Sequence, residues 1–292
     1  LVATPGRLLD YRRQRLVHLS CVELLVIDEA DRMLDMGFIP DVRRIVLSCP
    51  RPGKRQTMMW SATLTPEVLR LADSWLHEPE MIEIEPENVV AGSIDQLFYT
   101  VTEEQKFPLL FWHLKHDDVE RMLIFANRKD RCERIYHKLM QHSVGCALLT
   151  GDVPQKKRLR VLEAFRSGQT PVIVATDVAA RGIHVGNVSH VVNFDLPFEV
   201  EDYVHRIGRT GRAGETGTSI SFADEYGSYI IPDLEEYLGE EIRSELPPEE
   251  MTTFELPPKV DISHLKRRRS SRSRNRSGGG RGKGRGRPRG RR

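Results

Sequence analysis

The sequence predicts an α/β fold built on parallel sheets, and three observations lead there. Short apolar runs alternate with amphipathic stretches of helical length from Phe98 to Phe222, the repetition that sets parallel strands between layers of helix. The run Val22–Ile27 is apolar apart from Glu23, which suits a strand buried on both faces of such a sheet. Asp28, Glu29 and Asp31 follow it directly, at the strand's C-terminal end, the edge where open α/β sheets bind their ligands.

Each element can be justified in turn. Thr4-Pro5-Gly6-Arg7 precedes a helix over Leu8–Arg13. After the acidic stretch, Arg32–Phe38 runs into a helical stretch, Ile39–Leu47, and then a Pro/Gly/Lys loop, Cys49–Arg55. Gln56–Trp60 reads as a strand ending on Ser61-Ala62-Thr63. Thr65-Pro66 opens a helix that reaches about His77, with a capping hydroxyl and proline at the first helical position. Met81–Glu85 has the composition of a last strand, and Pro86–Ser93 that of a linker. Strands are then expected at Phe98–Thr102, Met122–Ala126, Cys146–Thr150, Pro171–Thr176, His190–Phe194 and Thr218–Phe222. Helices fall near Phe107–His116, Lys129–His142, Gln155–Arg166 and Glu199–Arg206. Pro247-Pro248 and Pro257-Pro258 bracket an acidic stretch expected to mark the end of folded structure. The division is a first domain over 1–85, a linker over 86–94, a second domain over 95–246 and a tail over 247–292.

The net charge of +2 hides an asymmetry. Lys266–Arg292 holds 14 Lys or Arg and no acid, so subtracting 14 from +2 leaves −12 for residues 1–265. This Arg/Ser, then Gly/Arg, segment cannot bury a core. It has no aromatic residue, so its affinity for nucleic acid would be electrostatic and sequence-blind. A solubilising role, or contact with a partner protein, stays open. Cys21, Cys49, Cys132 and Cys146 form no Cys-x-x-Cys pair, which disfavours a zinc site or a disulfide framework. No apolar run has the length of a membrane span. Cytoplasm is the expected compartment.

The residue types at the sheet edges have readable chemistry. A carboxylate such as Asp28 can hold hydrated Mg²⁺ on nucleotide phosphates while Glu29 orients water, or the three acids form an ordinary loop. Ser61 and Thr63 hydroxyls can bond Asp31. Gly6 lets backbone approach a ligand and Arg7 supplies a phosphate fork, unless this is simply a turn before a helix. In Gly208-Arg209-Thr210-Gly211-Arg212, the glycines leave room for two guanidiniums to point the same way.

Five strings, in this order, carry a resemblance: Thr4-Pro5-Gly6-Arg7, Asp28-Glu29-Ala30-Asp31, Ser61-Ala62-Thr63, Ala175-Thr176-Asp177 with Ala180-Arg181-Gly182, and His205–Arg212. The sequence over roughly residues 1–245 resembles the DEAD-box RNA helicases, these strings matching motifs Ib, II, III, V and VI. The resemblance implies two RecA-like domains, the first incomplete, with ATP and Mg²⁺ as cofactors and RNA as partner. It implies catalytic roles for Asp28 (through water on Mg²⁺), Glu29, Arg209 and Arg212. Coupling would fall to Asp31, Ser61, Thr63 and His205. RNA contacts would fall to Thr4, Gly6, Arg7, Gln155, Arg158, Thr176 and Gly182. Read without the resemblance, Gln155–Arg158 is a solvated basic helix start and His205 a packing residue.

Phe125-Ala126-Asn127-Arg128-Lys129, Leu148–Val153, Gln155–Arg160 and Glu201-Asp202-Tyr203-Val204 look like the bacterial RhlB type within that family. So does His184, where most members have the Asp that reaches the ribose. This type implies RNA unwinding in the RNA degradosome, with ribonuclease E as scaffold and the second domain as docking surface. Gly-x-x-x-x-Gly-Lys-Thr/Ser occurs nowhere in the chain, nor does the family's adenine-reading Gln motif. Both lie upstream of Thr4 in the family, so an N-terminally truncated chain is expected. An RNA-binding, scaffold-docking module is the competing reading for this chain, and a DNA translocase of the same superfamily a weaker one.

Overall fold

Strand β1 (Leu24–Ile27) pairs in parallel with β2 (Gln56–Met59), Leu24 opposite Gln56 and Ile27 opposite Met59. The computed structural model describes residues 1–35, 37–83, 94–180, 188–211 and 215–262, and the chain divides into two units, Leu1–Glu87 and Asn88–Arg292. In the first unit α1 (Pro5–Arg13), α2 (Ala30–Asp35), α3 (Ile39–Val46) and α4 (Pro66–Trp75) accompany the strands. Thr65 accepts the Val68 N–H at 3.3 Å and Pro66 sits at the first helical position, so α4 starts where the sequence placed it. Val68, Leu71 and Trp75 recur at helical spacing and pack with Val42, Val46 and Ile27 into one core.

That core covers only one face of the two strands. Leu24 and Val26 are 52% and 50% exposed, which corrects the expectation of a strand buried on both sides. Alternate side chains point to opposite faces, and no layer packs on the second face among the described residues. Met81–Glu83 likewise form no strand; Met81 and Ile82 are exposed and join no sheet among the described residues, while 84–93, including most of the linker, lie outside them. Arg55 is buried, donating to Val46 O (3.4 Å), Trp75 O (3.3 Å), Thr57 Oγ1 (3.0 Å) and Pro50 O. Val46 and Trp75 end α3 and α4, so one guanidinium satisfies carbonyls that the two helices leave open.

Among the described residues, the second unit carries seven parallel strands in the order β5-β6-β4-β7-β8-β3-β9. These are β3 (Ile94–Thr100), β4 (Met122–Phe125), β5 (Cys146–Leu149), β6 (Val172–Ala175), β7 (His190–Asn193), β8 (Gly217–Ala223) and β9 (Ser244–Glu245). Met122 stands opposite Val172 on one side and His190 on the other. Helices α5 (Glu103–His116), α6 (Lys129–Gln141), α7 (Gln155–Arg166), α8 (Asp177–Ala180), α9 (Val200–Ile207), α10 (Ile231–Leu238) and α11 (Glu249–Thr253) connect and flank them. β4, β6 and β7 are buried along their whole length, as central parallel strands are. Ile124 points into a layer with Phe107 and Phe111, while Leu123 and Phe125 point into another with Phe165 and Ile173.

Folded structure does not stop at the first proline pair. Residues 247–262 wrap the second unit: α11 packs on α5, and Phe254 stacks on Phe111 at 5.9 Å between ring centres. Pro257 O contacts His142 Nδ1 at 2.6 Å, Val260 N donates to Gln141 O at 2.8 Å, and Ile262 is buried. Met251, Phe254 and Leu256 supply the apolar contacts that an acidic, proline-rich composition obscures. Phe254→Ala is expected to cost about 1–2 kcal/mol in urea unfolding, from lost area and one ring pair. An unchanged midpoint would show that the strap contributes nothing.

Candidate functional site

The acidic edge of the first unit is set by its two strands. Trp60 N donates to Ile27 O (2.8 Å) and Ala30 N to Trp60 O (3.0 Å), which brings residues 28–31 alongside 60–63. Glu29 turns the chain with φ of +52°, a left-handed conformation unusual for a residue with a side chain and common at functional sites. Asp31 is buried and committed to protein partners. Its Oδ2 accepts Ala62 N (3.1 Å), Thr63 N (3.1 Å) and Thr63 Oγ1 (3.2 Å), its Oδ1 accepts Arg32 N (2.9 Å), and its own N–H donates to Ser61 Oγ (3.2 Å). Asp28 and Glu29 are exposed instead. Asp28 Oδ1 accepts the Glu29 N–H at 2.9 Å, and Glu29 Oε2 lies 3.5 Å from the buried Arg32 guanidinium. An exposed carboxylate with an oxygen to spare suits a hard, hydrated cation such as Mg²⁺.

Thr4 precedes α1, with Gly6 and Arg7 in its first turn, all exposed, and α1 packs on α3. Arg7 lies 3.4 Å from Asp10 and over the Tyr11 ring. A Cβ on Gly6 would meet nothing within 4 Å, so packing does not require glycine there.

In the second unit, polar residues at the C-terminal ends of three strands converge on Arg206, which sequence reasoning left unassigned. All five of its N–H donors are used: Asp177 twice (2.6 and 2.8 Å), Asn127 (2.7 Å), Asn193 (3.3 Å) and Asp195 O (2.6 Å). Its plane also lies over Phe125. The available signal was the recurrence of Asn or Asp just after β4, β6 and at the end of β7, which calls for one buried cation. Lys106 is a second such case, with Nζ 2.6 Å from Asp224 and 3.3 Å from Asp195. Burial raises the Asp224 carboxyl, but the Lys106 ammonium and two backbone N–H groups outweigh it and hold it below its ordinary value.

Arg158, on α7, donates to Ala179 O, and Thr176 O accepts the N–H groups of Ala179 (3.0 Å) and Ala180 (2.9 Å). Arg158 and Thr176 are therefore brought to one turn, with Gln155 exposed at the start of α7; Gly182 and His184 lie outside the described residues. Arg209, half-buried after α9, donates from Nε to His205 O at 3.0 Å. Gly211 has φ of +63°, and a Cβ on Gly217 would collide with Thr210 Oγ1, so neither position takes a side chain without strain or displacement. Arg212 lies outside the described residues. Burial pushes the thiols of Cys132 and Cys146 up to about 12.

Comparison with protein families matches residues 1–71 to "DEAD/DEAH box helicase" and residues 105–214 to "Helicase conserved C-terminal domain". The ATP-dependent RNA helicase RhlB of Pseudomonas putida is 53% identical over 251 residues, 86% of this chain and 63% of the relative. RhlB of Shewanella halifaxensis is 45% identical over 90% of this chain and 60% of the relative. The chain thus spans less than two thirds of the length of these curated relatives. Among solved structures, a variant of S. cerevisiae Dbp5 bound to RNA and ADP BeF3 is 30% identical, covers 92% of this chain and 68% of its own, and has a TM-score of 0.77. With two RecA-like parallel-sheet units, an Asp-Glu-Ala-Asp edge on the first and the arginine loop on the second, the chain belongs to the DEAD/DEAH-box helicase family.

Proposed function

We propose that the chain is part of an ATP-dependent RNA helicase of the RhlB type, in which ATP hydrolysis is coupled to RNA binding and structured RNA is unwound. The observation that supports this most is the division of labour along Asp28–Asp31. Asp31 is tied to Ser61 and Thr63, while Asp28 and Glu29 face solvent at the strand edge. Asp28 would hold Mg²⁺ through water, and the ion neutralises charge on the transferring phosphate when bound. Glu29 orients the attacking water and takes its proton. Asp31, Ser61, Thr63 and His205 pass the nucleotide state on to the RNA surface. Arg209 and Arg212 place guanidinium charge on the developing oxyanion. Thr4, Gly6, Arg7, Gln155, Arg158, Thr176 and Gly182 grip the sugar-phosphate backbone.

The 292 residues contain no Gly-x-x-x-x-Gly-Lys-Thr/Ser loop, whose backbone N–H groups and lysine cradle phosphates, so this stretch alone binds ATP weakly. Likeness to RhlB supports a role in cytoplasmic RNA degradation, with ribonuclease E as docking scaffold on the second domain. The test uses a chain extended to the length of its curated relatives. RNA should stimulate phosphate release by it, Glu29→Gln should abolish that release, and the 292-residue chain should show none. An extended chain without RNA-stimulated release would sink the helicase reading. Release by the 292 residues, lost in Glu29→Gln, would sink only the weak-binding part.

A further inference from the structure

We propose that the basic segment Lys266–Arg292 docks on its own chain, in a cleft at the head of α5 and α6 in the second unit. The cleft, about 970 Å³, is bounded by the starts of those helices, the loop after β7 and the turn after β8. None of the residues assigned above to RNA or ATP lines it. Phe198, Tyr226 and Tyr229 stand around it with 82%, 80% and 81% of their surface exposed. Three ring faces left in water around one concavity mark a place where something else stacks.

The charges say what kind of group. Lys106 and Arg131 hold Asp195, Asp224 and Glu103, while Asp130 holds Arg128 and Arg134. Glu104, Glu225 and Asp233, all exposed and lining the cleft, enter no ion pair among the described residues. Carboxylates beside open aromatic faces repel phosphate and suit guanidinium, which stacks on rings and forks onto carboxylates at once. RNA is therefore the wrong occupant and an arginine-rich strand the right one.

Such a strand lies within reach. Residues 263–292, thirty in all, lie outside the described residues and follow the buried Ile262. Val260 is bonded to Gln141 at the far end of α6, and 13 helical residues at 1.5 Å each put the cleft about 20 Å away. Six extended residues span roughly that distance. Everything from Lys266 onward can arrive there, carrying 14 cations and glycines that let the backbone lie close. Docked, the segment is withheld from RNA; displaced, it is free to bind.

A zero-length carbodiimide, applied to the dilute 292-residue chain, joins the amines of Lys266 and Lys283 to carboxylates in contact with them. Peptide mapping should find intramolecular links concentrated on Glu104, Glu225 and Asp233, and losing that preference in Tyr226→Ala/Tyr229→Ala. Links spread evenly over the body's carboxylates, or links that grow with protein concentration, would overturn the proposal. The second arm measures binding of a short polyuridylate, and rests on the tail being an RNA binder. Freeing the tail should tighten binding about fivefold in Tyr226→Ala/Tyr229→Ala and in Glu225→Gln/Asp233→Asn. Weaker binding in the tyrosine variant would mean that the rings hold RNA themselves. The crosslinking arm needs no ATP or helicase activity, so its failure is separate from failure of the functional reading above.

Discussion

Arg206→Ala should unfold the second unit about 3–5 kcal/mol more easily, the cost of taking a buried cation from a half-buried carboxylate and three further acceptors. Arg206 is 2% exposed and gives its Nε and one Nη2 N–H to Asp177 while its other donors fill the acceptors of Asn127, Asn193 and Asp195 O. Removing it leaves those acceptors short of a donor beside the Phe125 ring, where burial makes each unmade bond costly. Arg206→Lys keeps the charge but brings three donors without a planar fork, so it should recover only part of the loss. The measurement is urea unfolding followed through Trp112, which lies in α5 of this unit, because two units need not melt together. A loss under about 1 kcal/mol would show that water replaces the guanidinium at little cost, against the burial argument.

Arg209→Ala should behave in the opposite way, sparing stability and lowering hydrolysis. Arg209 is half-buried and donates from Nε to a backbone carbonyl one helical turn back. If it stabilises charge on the transferring phosphate, its loss costs about 10³-fold in RNA-stimulated phosphate release by the extended chain. RNA affinity should stay within about twofold, since the residues given to RNA lie at the start of α1, on α7 and after β6. Equal loss of RNA binding and hydrolysis would assign Arg209 to the RNA surface or to the fold instead. The paired results matter because Arg206 and Arg209 sit three residues apart in one string, and only burial tells them apart.

The acidic edge and its hydroxyl neighbours were legible because local chemistry fixes them. A strand ending in Asp-Glu-Ala-Asp must present carboxylates, and a second parallel strand ending in Ser-Ala-Thr brings donors beside them. Arg55, Lys106 and Arg206 were not legible. Each is a cation in a sequence rich in them; Lys106 and Arg206 reach partners as far as 89 and 79 residues away, and the helix-end carbonyls that hold Arg55 carry no sequence signal. The strap over 247–262 was misread for a related reason. Prolines and acids describe its solvent face, while Phe254 and Ile262 do the packing.

The sequence by itself determined the βα order, the parallel sheet and the chemistry at the strand ends, because apolar periodicity and strand-end polarity are properties of neighbours along the chain. Only the tertiary structure decided which cations are locked inside and which stay in reach of solvent, and which face of β1 is covered. It also showed that residues 247–262 pack on the second unit. Those outcomes depend on burial, which is set by segments that meet across long separations and leaves no mark on the local pattern.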